Sequence, residues 1–203
     1  LENDYGTGVS TNAIADKMDT RASSATDMIQ RLADKKVISY QKYKGASLTK
    51  KGKSLAVSII RKHRLWEVFL VEKLDFQWDE VHEIAEQLEH IKSDELIQRL
   101  DLFLGNPDFD PHGDPIPNPA GFIKFTPKLR LSDLNIGETG KFIGVKDSSS
   151  TFLKYLDKRK ISLGSNIKVL HQEKFDQSLH VGLDETNLTI SIKTASNLYI
   201  TKI

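Results

Sequence analysis

Five of the six prolines in this chain lie within residues 106–119, at positions 107, 111, 115, 117 and 119. Proline fixes φ and lacks a backbone N–H, so this segment cannot be helical and is predicted to be a linker. Before it, apolar residues recur with helical spacing. After it, short β-rich runs dominate at 141–146, 166–171, 188–193 and 198–203, interrupted by one amphipathic helix near 150–158. The sequence therefore predicts a mainly helical first part and a small β-barrel or sandwich at the end.

Composition narrows the class of protein. The chain contains no cysteine, which excludes disulfides, thiolate zinc sites and cysteine nucleophiles and leaves histidines and carboxylates as metal ligands. No run of about 18 apolar residues is present, and the first residues lack the basic and apolar regions of a signal peptide. We therefore expect a cytoplasmic protein that is neither secreted nor inserted in a membrane.

Charge is distributed unevenly along the chain. Residues 1–62 contain 12 basic and 6 acidic residues, residues 63–119 contain 4 and 14, and residues 120–203 contain 13 and 8. Evenly mixed charge would serve solubility, so this asymmetry indicates partners of opposite charge. We predict three domains with these boundaries, the first suited to a polyanion and the second to cations.

The first domain has the element order of a winged helix-turn-helix. Two short helices are predicted within 10–35, two strands at 37–40 and 46–48, and a long helix that Thr49 caps. In such a fold the second helix enters the major groove of double-stranded DNA and the wing contacts phosphates. The residues predicted to bind DNA are Arg21, Ser23, Ser24, Thr26 and Asp27 of the second helix and Lys42 and Lys44 of the wing. The alternative is an ordinary helical domain with a solvated basic face.

The acidic domain carries a pattern typical of metal ligands. His63 and Glu67 are four residues apart on the long helix, which places them on one face. A second helix, predicted to open at Asp79, places four further side chains within an arc of about 100°; these are His82, Glu86, Glu89 and His90. Imidazole and carboxylate together suit manganese, iron, cobalt or zinc. The alternative is a solvated charged face.

With these features, the sequence resembles the metal-dependent transcriptional repressors typified by the diphtheria toxin repressor and the manganese transport regulator. The resemblance covers at least residues 8–119. It rests on Arg61-Lys62-His63-Arg64-Leu65 with Glu67, on Val81-His82, on Glu89-His90 with Ser93-Asp94-Glu95, and on Gly113-Asp114-Pro115-Ile116-Pro117. It implies a winged helix-turn-helix that binds operator DNA, a helical domain that binds metal and forms a homodimer, and a C-terminal SH3-like, FeoA-type β-barrel.

The resemblance also implies roles for individual residues. His63, Glu67 and His82 match the family's ancillary metal site, and Glu86, Glu89 and His90 match its primary site. The iron-responsive branch has cysteine where this chain has Glu86, and a carboxylate is a harder ligand that favours manganese. The primary-site ligands of the family's first helix are expected before Leu1. Lys141 and Gly144 stand where the iron branch has ligands from its third domain. Neither can replace a carboxylate or carboxamide ligand, so we do not expect a ligand from the third domain.

The function implied is that of a transcriptional regulator with Mn²⁺ or Fe²⁺ as corepressor, which represses metal-uptake genes and has no small organic substrate. Two alternatives remain open. A metallohydrolase would use the same cluster to activate water, but no His-Glu-x-x-His sequence is present. A metal-independent winged-helix dimer would use the acidic helices for dimerisation alone.

Three further predictions concern residues outside these sets. The segment with Asp108, Asp110, His112 and Asp114 is interpreted as a rigid connector rather than as metal ligands. His171 and His180 are interpreted as structural, because no carboxylate is evidently paired with them. Part of a large apolar set is assigned to a two-fold dimer interface; its members are Trp66, Phe69, Leu70, Leu74, Leu96, Ile97, Leu100 and Phe103.

Overall fold

The computed structural model describes residues 8–41, 44–124, 127–184 and 186–203. The chain divides into two compact units, Leu1–Ile60 and Arg61–Ile203. The helical residues 63–119 and the β-rich residues 120–203 thus lie within one unit, and their division into two domains stays a prediction. Among the described residues, no helix is long and apolar enough to cross a membrane.

The first unit has the predicted element order. It contains helices α1 (Thr11–Lys17) and α2 (Ala22–Asp34), the antiparallel strands β1 (Ile38–Gln41) and β2 (Gly45–Leu48), and the start of helix α3 (Lys50–Leu74). Thr49 accepts a hydrogen bond from the N–H of Gly52, as expected of a helix cap. Gly45 has φ of 88°, and a Cβ there would lie 2.5 Å from the main-chain oxygen of Val9. Glycine is therefore required where the wing turns back.

The second unit begins with the rest of α3, followed by α4 (Val81–Leu88) and α5 (Asp94–Phe103). The prediction that Asp79 opens α4 is wrong by two residues. The Asp79 carboxylate instead accepts a hydrogen bond from Ser150 Oγ at 3.0 Å and pairs with Lys154 Nζ at 3.2 Å. Because α4 ends at Leu88, Glu89 is its C-cap and His90 lies in the turn that follows.

The β-rich part is an antiparallel sheet in which six described strands pair in the order β3-β8-β4-β5-β6-β7. Helix α6 (Ser150–Asp157) confirms the helix predicted near 150–158, and α7 (Ile192–Ala195) precedes the last strand. The strands are β3 (Leu129–Arg130), β4 (Thr139–Val145), β5 (Asn166–Gln172), β6 (Leu179–Leu183), β7 (Thr186–Ile190) and β8 (Leu198–Lys202). Phe142, Leu153 and Ile200 are fully buried within the core that this sheet and α6 enclose.

A second core lies among α3, α4 and α5, and it contains half of the apolar set from which the dimer interface was predicted. Four members of that set are buried inside this core rather than at the surface, namely Trp66, Leu70, Ile97 and Leu100. Spacing on a helix shows which residues share a face, but not which neighbour covers that face. Leu74 and Phe103 remain more than half exposed, at 51% and 65%, and so does Leu102 at 68%.

Residues 108–117, here called the strap, connect the helices to the sheet and are fixed at both ends. Arg61 donates a hydrogen bond to the main-chain oxygen of Pro117 at 2.6 Å, and Arg64 donates one to that of Pro115. On the sheet side, the main-chain oxygen of His112 accepts a hydrogen bond from the N–H of Val145 at 3.0 Å. The strap thus contacts the helices on one side and the sheet on the other, and its rigidity stays a prediction.

Candidate metal centre and DNA-binding surface

Three predicted ligands meet where α3 packs against α4. Nε2 of His63 lies 3.0 Å from Oε1 of Glu67 and 3.1 Å from Nδ1 of His82, and that nitrogen of His82 lies 3.4 Å from the same Glu67 oxygen. The i, i+4 spacing on α3 sets the first distance, and the packing of α4 supplies His82. Their ligand atoms all lie within 4.8 Å of one another, which is close enough for a single ion.

A second cluster shares Glu67 with the first. Oε2 of Glu67 lies 3.6 Å from Nδ1 of His112, and Asp110 completes a buried group whose ligand atoms lie within 4.8 Å of one another. Both partners come from the strap. The sequence interpretation named Asp110 and His112 but assigned them to the connector, so it did not place them beside Glu67. The other two acids of the strap have different partners: Asp108 pairs with Lys124, and Asp114 pairs with Arg64 and Lys128.

The three residues predicted to form the primary site are not brought together. Oε2 of Glu89 lies 2.8 Å from Nδ1 of His63, so Glu89 adjoins the first cluster. Glu86 and His90 are exposed, and neither side chain has a hydrogen bond or ion pair among the described residues. Within those residues, the primary site stays a prediction.

Burial and charge shape the ionisation of the cluster. Burial alone would raise the pKa of Glu67, but hydrogen bonds from His112 and His63, together with their charges, lower it to about 2. Burial opposes the charged form of both imidazoles, yet hydrogen bonds and charges from the facing carboxylates raise the pKa of His63 and of His112 above its ordinary value. These contacts therefore favour the protonated form of both imidazoles beside Glu67.

Asp110 differs from Glu67, because its pKa is raised rather than lowered. Its burial, followed by the charge of Glu67, raises its pKa to about 6, although the N–H of Asp114 partly offsets this by donating a hydrogen bond. Arg64 Nε lies 3.4 Å from its Oδ2, which adds a nearby positive charge. Even with this partner the pKa of Asp110 is raised, so its charged form is one that a further bound cation would stabilise.

The donor atoms suit a divalent metal. Three imidazoles and two carboxylates converge on the two clusters, and this mixture of nitrogen and oxygen is the set that manganese, iron, cobalt and zinc accept. Buried Glu67 offers one oxygen to each cluster, so it is placed to bridge them. The residues present therefore fit the metal that the resemblance implies.

The predicted DNA-contacting residues are largely accessible in the first unit. Arg21, Ser23, Ser24 and Asp27 are exposed at the start of α2, and Lys44 is exposed between β1 and β2. Thr26 is half-buried and donates its hydroxyl to the main-chain oxygen of Ala22 at 2.8 Å, so that hydroxyl is engaged within the helix. Lys42 lies outside the described residues.

One sequence interpretation of the β-rich part is wrong. His171 and His180 were expected to have no paired carboxylate, but Oε1 of Glu173 lies 3.3 Å from Nε2 of His171 and 3.8 Å from Nε2 of His180. Glu173 follows β5, two residues after His171, and pairing between β5 and β6 brings His180 opposite. Strand register supplies this contact, and the sequence does not show the register directly.

Family models match most of the chain. The iron dependent repressor N-terminal DNA binding domain matches residues 2–46, the metal binding and dimerisation domain of the same repressors matches 49–118, and the FeoA domain matches 129–202. The winged helix, the helical middle and the SH3-like end predicted from the sequence are confirmed by these matches.

Individual relatives agree with the models. A solved structure described as a manganese-dependent transcriptional repressor in complex with manganese has a TM-score of 0.87 and 33% identity, and the similarity covers 100% of this chain and 94% of that one. The iron-dependent repressor IdeR of Mycobacterium tuberculosis is 35% identical over 104 residues, 51% of this chain and 45% of that protein.

A further relative, described as a probable metal transport system membrane protein of Chlamydia trachomatis, is 51% identical over 71 residues, 35% of this chain and 16% of that protein. The chain thus spans less than half the length of these two curated relatives. The whole-length structural match and the three family models nevertheless agree on one assignment. The chain belongs to the family of iron- and manganese-dependent transcriptional repressors typified by the diphtheria toxin repressor.

Proposed function

We propose that this protein is a DNA-binding transcriptional regulator that uses Mn²⁺ or Fe²⁺ as corepressor and represses metal-uptake genes when metal is bound. The observation that carries the proposal is the position of Glu67, whose two oxygens face two clusters of metal ligands. The same chain has a winged helix with an exposed basic and hydroxyl-bearing surface. One chain therefore combines candidate metal-binding clusters with a candidate DNA-binding surface.

Electrostatics supports a requirement for metal. Residues 63–119 carry 14 acidic and 4 basic residues, and DNA is a polyanion. Binding of divalent cations removes part of this negative charge and lowers its repulsion of DNA. The coupling between the two sites is reciprocal, so DNA binding must also tighten metal binding by the same factor.

The proposed assembly is a homodimer in the cytoplasm. A dimer presents two reading helices to two half-sites of an operator, which a single winged helix cannot do. Leu74 and Phe103 of the predicted set, together with Leu102, form exposed apolar surface on α3 and α5. This surface is the part of the helical domain that we assign to the dimer contact.

The metal ligands proposed are His63, Glu67 and His82, extended by Asp110 and His112, with Glu86, Glu89 and His90 forming the primary site. Glu86 is the position we propose as selective for manganese. Affinities generally rise from manganese toward copper whatever the protein, so selectivity must come from ligand type and geometry.

The experiment that tests the function uses the full chain and a library of random double-stranded DNA. Bound sequences are selected in Mn²⁺, and the affinity of the enriched DNA is then measured by fluorescence anisotropy in Mn²⁺, in Mg²⁺ at equal concentration, and in chelator. We expect at least a tenfold tighter Kd in Mn²⁺, equivalent to about 1.4 kcal/mol.

The Mg²⁺ arm separates specific coordination from general charge screening, because Mg²⁺ carries the same charge but avoids imidazole ligands. Equal affinity in Mn²⁺ and in chelator would leave the metal-independent dimer as the better description. Failure to enrich any DNA in Mn²⁺ would contradict the regulator itself. The repressor family is one of DNA-binding proteins, and this supports a regulator over the metallohydrolase alternative.

A further inference from the structure

Two histidines and a glutamate lie together on one face of the β-rich sheet, and they share no residue with the clusters around Glu67. His171 on β5 and His180 on β6 are direct partners in the strand register, and Thr189 on β7 is the register partner of His180. Glu173 follows His171 by two residues, which in an extended chain places both side chains on the same face. Its N–H donates to the main-chain oxygen of Ser178, so the pairing continues beyond β5.

Two distances in this cluster are close to those between ligands of one metal ion, although the three ligand atoms do not all lie within 4.8 Å of one another. Oε1 of Glu173 lies 3.3 Å from Nε2 of His171 and 3.8 Å from Nε2 of His180. Ligands that share one tetrahedral zinc at bond lengths of about 2.0–2.2 Å lie roughly 3.3–3.5 Å apart. The ring centroids of the two histidines are 5.8 Å apart, and two imidazoles on one such ion through Nε2 would place them at roughly 5 Å.

The cluster is open rather than closed around a point. The side chains of His171, Glu173 and His180 are 57%, 49% and 43% exposed. Binding of one ion requires the two imidazoles to rotate toward each other, and this exposure leaves them room to do so. The same exposure leaves a coordination position for water. A strand pair holds the three Cα positions in place, so binding orders side chains only and not the backbone.

Thr189 orients one of the imidazoles. Its hydroxyl lies 2.9 Å from Nδ1 of His180. When Nδ1–H donates to that hydroxyl, Nε2 carries the lone pair, and Nε2 is the atom that faces Glu173. Metal-binding histidines usually have this kind of second partner, because it fixes both the ring and its tautomer.

We infer that His171, Glu173 and His180 form a surface site for a divalent transition-metal ion of the class that prefers imidazole, with zinc as its representative. Two imidazoles and one carboxylate favour zinc, copper or nickel over magnesium or calcium, which prefer oxygen ligands throughout. The site is separate from the corepressor clusters and goes beyond the proposed function. Zinc bound there would join β5 to β6 near the turn of their hairpin.

The test counts zinc ions on the full chain. Wild-type protein is titrated with Zn²⁺ against a chromophoric chelator, alongside the double variant His171→Ala/His180→Ala and the matched control Lys168→Ala, which alters an exposed residue of the same strand. We expect the double variant to bind one zinc fewer per chain and the control to match the wild type. Equal zinc counts in all three proteins would overturn the proposal.

Two further measurements distinguish a built site from chance surface coordination. Glu173→Gln is expected to weaken zinc binding at this site at least tenfold, and Thr189→Val three- to tenfold, with thermal stability in chelator unchanged. In protein labelled with ¹⁵N-histidine, Zn²⁺ is expected to shift the Nε2 signals of His171 and His180 at micromolar free zinc. A shift that requires millimolar zinc, or an unaltered affinity in Glu173→Gln, would show that these are ordinary surface histidines.

Because the corepressor clusters use other residues, this outcome is independent of the proposed function. The double variant is expected to keep the Mn²⁺-dependent gain in DNA affinity of the wild type. Loss of zinc at the hairpin with retained Mn²⁺ response would support both proposals. Retained zinc with a retained Mn²⁺ response would contradict the hairpin site alone.

Discussion

Nε2 of His112 lies 2.8 Å from the main-chain oxygen of Trp78 and donates a hydrogen bond to it. In the neutral imidazole that a metal ion requires, this bond leaves the lone pair on Nδ1, the nitrogen that faces Glu67. Without metal, Nδ1–H donates toward that carboxylate, which raises the pKa of His112. The two rings are also stacked, with centroids 6.2 Å apart. Trp78 precedes α4, and its Nε1 donates to Asp157 at the end of α6. The second ligand cluster is thereby held by the helices, the strap and the sheet together.

Replacing Glu67 tests whether one carboxylate serves both clusters. We expect Glu67→Gln to weaken Mn²⁺ binding by at least about 100-fold, because the amide lacks the charge and one of the two acceptor oxygens; loss of an outer hydrogen-bond partner typically costs 10- to 100-fold. Isothermal titration calorimetry with Mn²⁺ measures the change. The control is Glu72→Gln on the same helix, where the side chain is 51% exposed and its one ion pair among the described residues is with Lys73.

If the clusters were independent, Glu67→Gln would weaken Mn²⁺ binding no more than His82→Ala or His112→Ala, each of which removes a ligand of one cluster. A Glu67 variant that matches the milder of these two would contradict the shared carboxylate.

Acidity is expected to oppose metal binding. The pKa of His63 and that of His112 are raised above their ordinary value near 6.5, and metal requires the neutral imidazole. The pKa of Asp110, about 6, falls in the same range, while Glu67, at about 2, stays ionised throughout. Mn²⁺ affinity should therefore rise between pH 6 and pH 8, by up to about tenfold per pH unit for each proton released. Calorimetry in buffers of different ionisation enthalpy counts those protons, and a pH-independent affinity would contradict the assignment.

The same shifts predict how the stability of the metal-free protein depends on pH. A raised histidine pKa contributes stability that is complete below the unfolded value near 6.5 and is lost as pH rises through the folded value. The raised pKa of Asp110 acts in the same direction, since its protonated form favours folding and is lost toward pH 6. The melting temperature in chelator should thus fall between pH 6 and pH 8. Excess Mn²⁺ should reverse that trend, because the ion replaces the protons.

The DNA surface can be tested by salt dependence. We expect Arg21→Ala to weaken binding to the selected DNA and to reduce the slope of log affinity against log salt by about 1, as for loss of a single phosphate contact. Arg31→Ala, at the other end of α2, is the matched control with the same change in net charge. Equal losses in both variants would indicate general attraction to DNA rather than a reading surface at the start of α2.

Local sequence pattern was sufficient for part of the site. The i, i+4 spacing of His63 and Glu67 predicts their contact, because an α-helix determines it without help from other elements. The same reasoning predicted that α4 continues past Leu88 and placed Glu89 and His90 on its surface. The helix instead ends at Leu88, so these two residues do not follow helical spacing. Helix ends depend on local hydrogen bonds and capping, which periodicity does not detect.

The contribution of the strap was not accessible to pattern reasoning. Asp110 and His112 reach Glu67 from 43 and 45 positions along the chain, and the prolines between elements carry no periodicity from which a facing partner could be inferred. Their position depends on Arg61 and Arg64, which bind main-chain oxygens of the strap. Only the folded structure places two side chains of this proline-rich connector beside Glu67, where they could bind a metal ion.

Gly113 gives the sharpest test of the strap, because another glycine provides a matched control. Gly113 has φ of 81° and Gly105 has φ of 77°, so alanine is strained by a similar amount at each. A Cβ at Gly113 would lie 1.9 Å from the main-chain oxygen of Ile143, whereas nothing lies within 4 Å of one at Gly105. Gly105→Ala should cost about 1–2 kcal/mol of unfolding free energy from backbone strain alone.

Gly113→Ala should cost about 3 kcal/mol or more, because the strap must also move away from β4. That movement displaces His112, whose main-chain oxygen accepts from Val145, so Mn²⁺ binding should weaken in Gly113→Ala and not in Gly105→Ala. Urea unfolding and Mn²⁺ calorimetry measure the two effects separately. If both alanine variants lost the same stability and kept full Mn²⁺ affinity, close packing of the strap against β4 would not be what positions His112 beside Glu67.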